Sequence, residues 1–477
     1  MKSQKFLFLI SVFLFLSTSI YAQIKKEELM KTVEFLASKE LAGRLPGSEG
    51  YTKAANFMAR ELAKLKMKPG GDENYFQKLK VEYNEILAPE HFSVIKDGKT
   101  INYKIGDDYA YRGFTGAGKF TASVVFCGYG LSQPELGYDD YSRIDVKGKV
   151  VLAFKYNPKW NFDGKNFTSG NPREKAIVAA NHGAIGILFV SFPNDAEPQR
   201  PIGSVINGEG EQMINFPEIH IDLPVADEIF NESGHTLKNL QTLIDSTKKP
   251  FSIQLIPKVD IEVHTKYEKE KEVVNVVGMI EGSDPDLKNE YLIIGAHLDH
   301  VGSQAGKIYF PGANDNASGS AALLQIVREF SRTQERPKRS IIFVFFASEE
   351  QGLYGAKYFS EHMKFSKEKV RAMINLDCVG CGDSIQIGGG ESAPTLWNIA
   401  KQIDNENDKL LVTRTWKGGG ADAEPFYEKG IQTLYFVTTN SYKHLHMLSD
   451  KPETLNPNLL EAITKLAYKT ALNISNQ

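Results

Sequence analysis

Cysteine is nearly absent from this 477-residue chain: Cys127, Cys378 and Cys381 are the whole set. That scarcity excludes a disulfide-dense scaffold, and it excludes a structural zinc site of CxxC type, which needs a second pair. Cys378 and Cys381 can pair with each other in an oxidising compartment, and Cys127 reads as a buried free thiol. An excess of positive charge is also missing. Lys and Arg total 56 against 59 Asp and Glu, for a net charge of −3. With no basic stripe, nucleic acid is excluded as the main partner. Beyond the N-terminus no apolar run is long enough to cross a bilayer, and there is no internal repeat or low-complexity tract. The remaining composition is that of a globular protein: 42% hydrophobic and 24% charged, with 28 Phe and 20 Tyr for a large core. The length suits two or three domains.

At the N-terminus Lys2 and Lys5 precede the apolar run Phe6 to Phe15, and Ser17-Thr18-Ser19-Ile20-Tyr21-Ala22 follows. This is the pattern of a secretory signal peptide cut after Ala22, so residues 1–22 are not part of the fold. No cysteine adjoins the cut, which argues against a lipoprotein anchor. The expected destination is secreted or periplasmic, with no stable membrane span after cleavage.

Residues 23–119 open with a helix whose apolar face is Leu29, Val33, Leu36 and Ala37. The loop Gly43-Arg44-Leu45-Pro46-Gly47 leads to a second helix carrying Ala54, Ala55, Met58, Leu62 and Leu65, ended by Pro69-Gly70-Gly71. Residues 120–255 change texture. Short strands (Ala122 to Phe126, Val150 to Phe154, Ile185 to Val190, Glu218 to Ile221) and turn glycines predict a separate small β-rich domain, with one helix from Arg173 to His182. Residues 256–477 alternate strand and helix. The expected fold is therefore α/β, a mixed, mostly parallel sheet flanked by helices on both faces, with an inserted small β-rich domain. In such sheets ligands bind beyond the carboxyl ends of the strands.

Those ends carry chemistry. Tyr291 to Ala296 delivers His297-Leu298-Asp299, and the loop after it delivers Asn314-Asp315-Asn316 just before a helix. The run Ile341 to Ala347 ends in Ser348-Glu349-Glu350, and another strand ends in Asn375-Leu376-Asp377. His444-Leu445-His446 precedes the final helix. Consecutive strand residues face opposite ways, so a Glu-Glu pair builds one surface poorly. At a turn the pair can serve one site, one carboxylate holding a metal and the other moving a proton. Imidazole and carboxylate together suit zinc, and His297, Asp315, Glu350, Asp377 and His446 supply enough ligands for two ions sharing a carboxylate. Asp299, two residues after His297, can accept the other ring N–H. Each element also has a plain reading, as a surface hydrogen bond, a helix cap or a solvated pair; their conjunction in one domain favours the metal. Spacing alone does not tell the roles of Glu349 and Glu350 apart.

The motifs Gly295-Ala296-His297-Leu298-Asp299, Gly312-Ala313-Asn314-Asp315-Asn316-Ala317-Ser318-Gly319, Ala347-Ser348-Glu349-Glu350-Gln351-Gly352, Asn375-Leu376-Asp377 and His446-Met447-Leu448-Ser449-Asp450 together resemble the co-catalytic di-zinc aminopeptidases of the secreted bacterial leucyl-aminopeptidase type, related to glutamate carboxypeptidase and transferrin receptor. Phe126-Cys127-Gly128-Tyr129-Gly130 and Tyr138-Asp139-Asp140-Tyr141 resemble a protease-associated domain inserted in that fold. The resemblance implies two zinc ions per chain and peptide substrates. It implies that Asp315 bridges, that His297 and Asp377 complete one ion, that Glu350 and His446 complete the other, and that Glu349 is the general base and acid. The same fold hosts carboxypeptidases, dipeptidases, a glutaminyl cyclase and receptor-like binding proteins. Leu445 stands where relatives often carry an oxyanion-steadying tyrosine, leaving Tyr435 and Tyr442 as candidates. Ala421-Asp422-Ala423 lacks the family's histidine, which implies altered substrate fit.

Overall fold

The computed structural model describes residues 24–162, 164–167, 170–333 and 336–477. The expected signal peptide lies outside them. Among the described residues no helix is long and apolar enough to cross a membrane.

The strands of the C-terminal half are largely apolar because both faces are covered. Along Tyr291–His297 and Ser340–Phe346, alternate residues point to opposite sides. Leu292, Ile294, Ile341, Phe343 and Phe345 join the main core. That layer is built with the helices Lys26–Leu36, Glu49–Lys64, Gly319–Arg332 and Pro457–Asn476. Ile293, Ile342, Val344 and Phe346 face the other way and pack with Phe359 and Phe426. Strands Ser340–Phe346, Tyr291–His297, Val370–Leu376 and Thr433–Thr438 run parallel in that order, and Ile385–Gly388 closes the edge antiparallel. All four parallel strands therefore point their carboxyl ends, and His297, Glu349, Glu350 and Asp377, to one rim.

The β-rich region is present, as parallel strands Gly118–Cys127, Val150–Phe154, Gly186–Val190 and Glu218–Ile221. Besides the expected helix, Pro172–Asn181, it carries Leu223–Phe230 and Leu237–Thr247, which pack on its inner face through Val225, Ile229, Leu240 and Ile244. One strand joins the two halves. Ser252–Ile280 is 29 residues long; its amino end pairs with Gly118–Cys127 and its carboxyl end with Ser340–Phe346. Phe76–Lys96, 21 residues, pairs along most of it. The position between 255 and 256, where the sequence changes texture, lies inside this strand.

Arg44 fastens the N-terminal segment to the rim. Its side chain is fully buried, and its guanidinium donates to the carbonyls of Leu36, Leu298, Pro311 and Gly312. Gly43 lies in the left-handed region, where a Cβ would meet the Gly302 carbonyl oxygen at 2.2 Å. Its own carbonyl accepts the Gly302 N–H at 2.9 Å. Burial pulls the Arg44 pKa down to about 10, against nearby Asp315 and Asp450, so it stays cationic at neutral pH. An Arg44→Met variant strands four buried carbonyls. Hydrogen bonds to charged groups contribute about 1.5–3 kcal/mol each, so a loss of at least about 3 kcal/mol is expected by denaturant titration. A loss under about 1 kcal/mol would mean that water replaces the guanidinium.

Candidate metal centre

Local turns decide where each carboxylate goes. Ser348 adopts a left-handed backbone, φ 58°, two residues past the Ser340–Phe346 strand, which breaks the alternation that would splay Glu349 from Glu350. Asn275 steadies this exit by accepting the Ala347 N–H at 2.8 Å and donating to the Gly355 carbonyl at 2.9 Å. Asp299 accepts the Glu349 and Glu350 amides at 3.1 and 3.3 Å, one with each carboxylate oxygen. Asp299 also faces the imidazole, as expected: its carboxylate lies 3.7 Å from His297 Nδ1, with its backbone carbonyl at 3.3 Å. Asp299 thus holds the Glu-Glu turn more than it holds the imidazole.

Asp315 is set by Asp450, whose carboxylate accepts the Asn314 and Asp315 amides at 2.9 and 3.1 Å. Asn314 and Asn316 then stitch this loop to the Asp377 loop. Asn314 accepts from Gly380 and Cys381, and Asn316 donates to the Leu376 carbonyl. Cys378 and Cys381 are separate buried thiols.

The five expected ligands converge. Asp315 Oδ1 lies 3.3 Å from His297 Nε2, which lies 3.3 Å from Asp377 Oδ1. Asp315 Oδ2 lies 3.2 Å from His446 Nε2, which lies 2.8 Å from Glu350 Oε2. The donors form two constellations that share Asp315, and each can hold a metal ion. His444 stays outside; its Nδ1 meets Ser449 Oγ at 3.0 Å on the surface. One histidine was not anticipated. His300, fully buried, places Nδ1 2.8 Å from Glu350 Oε1 and 3.5 Å from Asp315 Oδ2. Its signal is its position directly after His297-Leu298-Asp299, but strand alternation assigns it to the opposite face. The chain has already left the sheet there, and the His300 amide donates to the Arg44 carbonyl.

The charge balance calls for a cation. Among the described residues, Asp315, Glu349, Glu350 and Asp377 make ion pairs with imidazoles and with no lysine or arginine. Buried carboxylates at this density are costly without positive charge. Burial opposes protonation of His446, yet Glu350 and Asp315 push its pKa up to about 10. Burial likewise opposes His297, and Glu349 and Asp377 overcome it, raising it well above the ordinary range. Nitrogen and oxygen donors in a negative cluster fit a divalent ion such as zinc.

Glu349 is different. Burial holds its carboxyl well above the usual range against the pull of His297, with Glu350 and Asp422 adding to the rise. Asp422 is another residue the sequence reading did not place at the centre. It is fully buried, neither carboxylate oxygen has a hydrogen-bond partner, and burial raises its pKa well above the usual range. Tyr435 donates to Asp377 Oδ2 at 3.3 Å, and its hydroxyl lies 3.2 Å from that of the exposed Tyr442. Both line a cleft of about 890 Å³ with Trp416, Arg414, Lys443 and, from the insert, Glu197. The insert also reaches His446. Gly203 donates its N–H to the His446 carbonyl at 2.8 Å, and Val205 packs in one cluster with Val301, Phe310 and Leu448.

Residues 275–471 match the family model described as Peptidase family M28, and residues 120–229 match the PA domain. A Glutamate carboxypeptidase 2 homolog of Caenorhabditis briggsae is 28% identical over 437 residues, covering 72% of this chain and 52% of that protein. A probable zinc metalloprotease of Pyrenophora teres f. teres is 38% identical over 178 residues, 36% of each chain. The chain spans about half or less of the length of these curated relatives. Among solved structures, the Peptidase M28 precursor from Shewanella amazonensis SB2B aligns with TM-score 0.66 and 18% identity, covering 95% of this chain and 96% of that one. BSAP, a zinc aminopeptidase from Bacillus subtilis, aligns with TM-score 0.64 and 18% identity over 96% of each chain. At these identities the likeness is one of fold.

The shared carboxylate makes a distinct expectation. Asp315→Ala should lose metal from both constellations, Asp377→Ala and His446→Ala from one, and His444→Ala from neither. Zinc per chain, measured after dialysis, checks this. Full zinc in Asp315→Ala, or loss in His444→Ala with retention in His446→Ala, would reverse the assignment.

Proposed function

We propose that this chain, a member of peptidase family M28 with an inserted PA domain, is a zinc-dependent aminopeptidase that hydrolyses N-terminal residues from peptides at a pair of zinc ions. The observation that carries this reading is Asp315, whose two oxygens face two separate ligand sets beside a half-buried Glu349 that belongs to neither set. His297 and Asp377 would hold one ion with Asp315, and Glu350 and His446 the other. Zinc, when bound, lowers the pKa of a coordinated water toward neutrality and polarises a carbonyl.

The protein's own groups do the rest. Glu349 sits 4.0 Å from His297 Nε2, half-buried beside the His297 ligand set. A carboxyl held high by burial is suited to accept a proton from the attacking water and return it to the leaving amine. Asp299 fixes its backbone, so proton transfer occurs from a set position. Tyr435, anchored on Asp377, and Tyr442 present hydroxyls to the cleft. Secretion through the cleaved segment 1–22 belongs to the same reading, and N-terminal sequencing of exported protein tests it.

A carboxypeptidase or dipeptidase is the second reading. Arg414 and Lys443 in the cleft favour it, because two cations there can receive a free carboxylate. A panel of aminoacyl substrates and N-blocked peptides, with and without a chelator, separates the two. Aminopeptidase activity predicts cleavage of unblocked substrates only, abolished by chelation. Glu349→Gln should keep both zincs and lose about 10²–10⁴-fold in kcat, the range for general acid–base groups. Metal content and kcat from one sample decide it, and near-wild-type turnover removes Glu349 from this role.

A further inference from the structure

We infer that His300 is a sixth metal-ligating residue, making the two metal positions unequal: four protein donors (His300, Asp315, Glu350, His446) against three (His297, Asp315, Asp377). This rests on the two-ion reading above and extends it.

Geometry is the first argument. Donors about 2.0–2.2 Å from a tetrahedral ion lie roughly 3.3–3.6 Å apart. His300 Nδ1 lies 3.5 Å from Asp315 Oδ2, close to the 3.2 Å that separates the same oxygen from His446 Nε2. Glu350 faces both rings symmetrically, Oε1 at 2.8 Å from His300 Nδ1 and Oε2 at 2.8 Å from His446 Nε2. The two imidazoles stand 5.5 Å apart at 73°, flanking one point from two sides. These donor atoms all lie within 4.8 Å of one another.

The second argument is the lack of another employer for the ring. His300 is fully buried, and its Nε2 has no hydrogen-bond partner. All polar contact of the side chain runs through Nδ1 to two carboxylates that also serve the metal centre. Its backbone is pinned from outside the sheet by the Arg44 carbonyl, which aims the ring inward.

The consequence is an asymmetric pair. Four protein donors fill the corners of a tetrahedral site, whereas three leave a corner for water or substrate. Both positions carry two carboxylates, so they differ in neutral donors and not in charge. The ion beside His300 should bind first and leave last.

The rival role is a hydrogen bond from His300 Nδ1–H that merely orients Glu350, and two substitutions separate the roles. Asparagine can donate to Glu350 but ligates poorly; aspartate can ligate but, ionised, cannot donate. Competitive chelator titration with zinc should show wild type binding in two steps. His300→Asn should lose at least about tenfold in the tighter step, and His300→Asp should retain two zincs. X-ray absorption at the zinc edge of wild type loaded with both ions should count three imidazoles per pair. Melting of the metal-free variants, within a few degrees of wild type, excludes misfolding. An unchanged titration in His300→Asn, or a wild-type count of two imidazoles per pair, overturns the assignment. If both variants lose an ion, the imidazole count decides between the roles. Wild type that binds no zinc pair would sink the underlying two-ion reading, which is a separate outcome from a wild-type pair that ignores His300.

Discussion

Crowded like charge governs this protein. Asp315, Glu350 and Asp377 are brought within ligand distance of the same imidazoles, with Glu349 beside them. Among the described residues these carboxylates pair only with imidazoles, so the loops that carry them need support. Backbone N–H groups hold them. Asp450 takes the amides on either side of the Asn314–Asp315 bond, Asp299 takes those of the Glu-Glu turn, and Arg44 takes four carbonyls around the rim. These supports act through the main chain, so the side chains that could hold a metal stay free to face one another. The parallel sheet supplies the common edge, and the supports supply the aim.

Much of this could be read from the sequence. The apolar runs at Tyr291–His297 and Ser340–Phe346 announce strands covered on both faces, and the chemistry-bearing residues follow their carboxyl ends. His446 was separable from His444 because Asp450 stands four residues beyond it, and the structure gives that spacing its cause: Asp450 serves Asp315. Three things were hidden. His300 follows Asp299 directly, and its inward turn depends on a contact with Arg44, some 250 residues earlier in the chain. Asp422 shows no pattern of its own and acquires meaning only through burial beside the centre. The third is the long ribbon. Tyr267 to Glu272 is rich in Lys and Glu and lacks the alternation of a half-buried strand, yet it pairs with Phe76–Lys96. Its partner, rather than its composition, makes it a strand.

The insert illustrates how far texture can be trusted. A change to short strands and turn glycines marks the region, but its core around Phe126, Phe154 and Ile221 is shared with Phe92, Tyr109, Val259 and Ile261 from outside it. Texture cannot show that the region's described residues add no side chain to either candidate metal cluster, yet that Gly203 donates a main-chain hydrogen bond to the carbonyl of His446.

The 29-residue strand Ser252–Ile280 behaves as a beam built into both halves. A hinged lid opens by rotating a few backbone angles at a loop; a beam opens only by bending or by unzipping its partners. The insert is fixed at one end of this beam and, through Gly203, to the turn that carries His446. The cleft between Glu197 of the insert and Tyr442 is therefore a gauge of set width, and whatever forces that gauge wider pulls on the turn that carries His446.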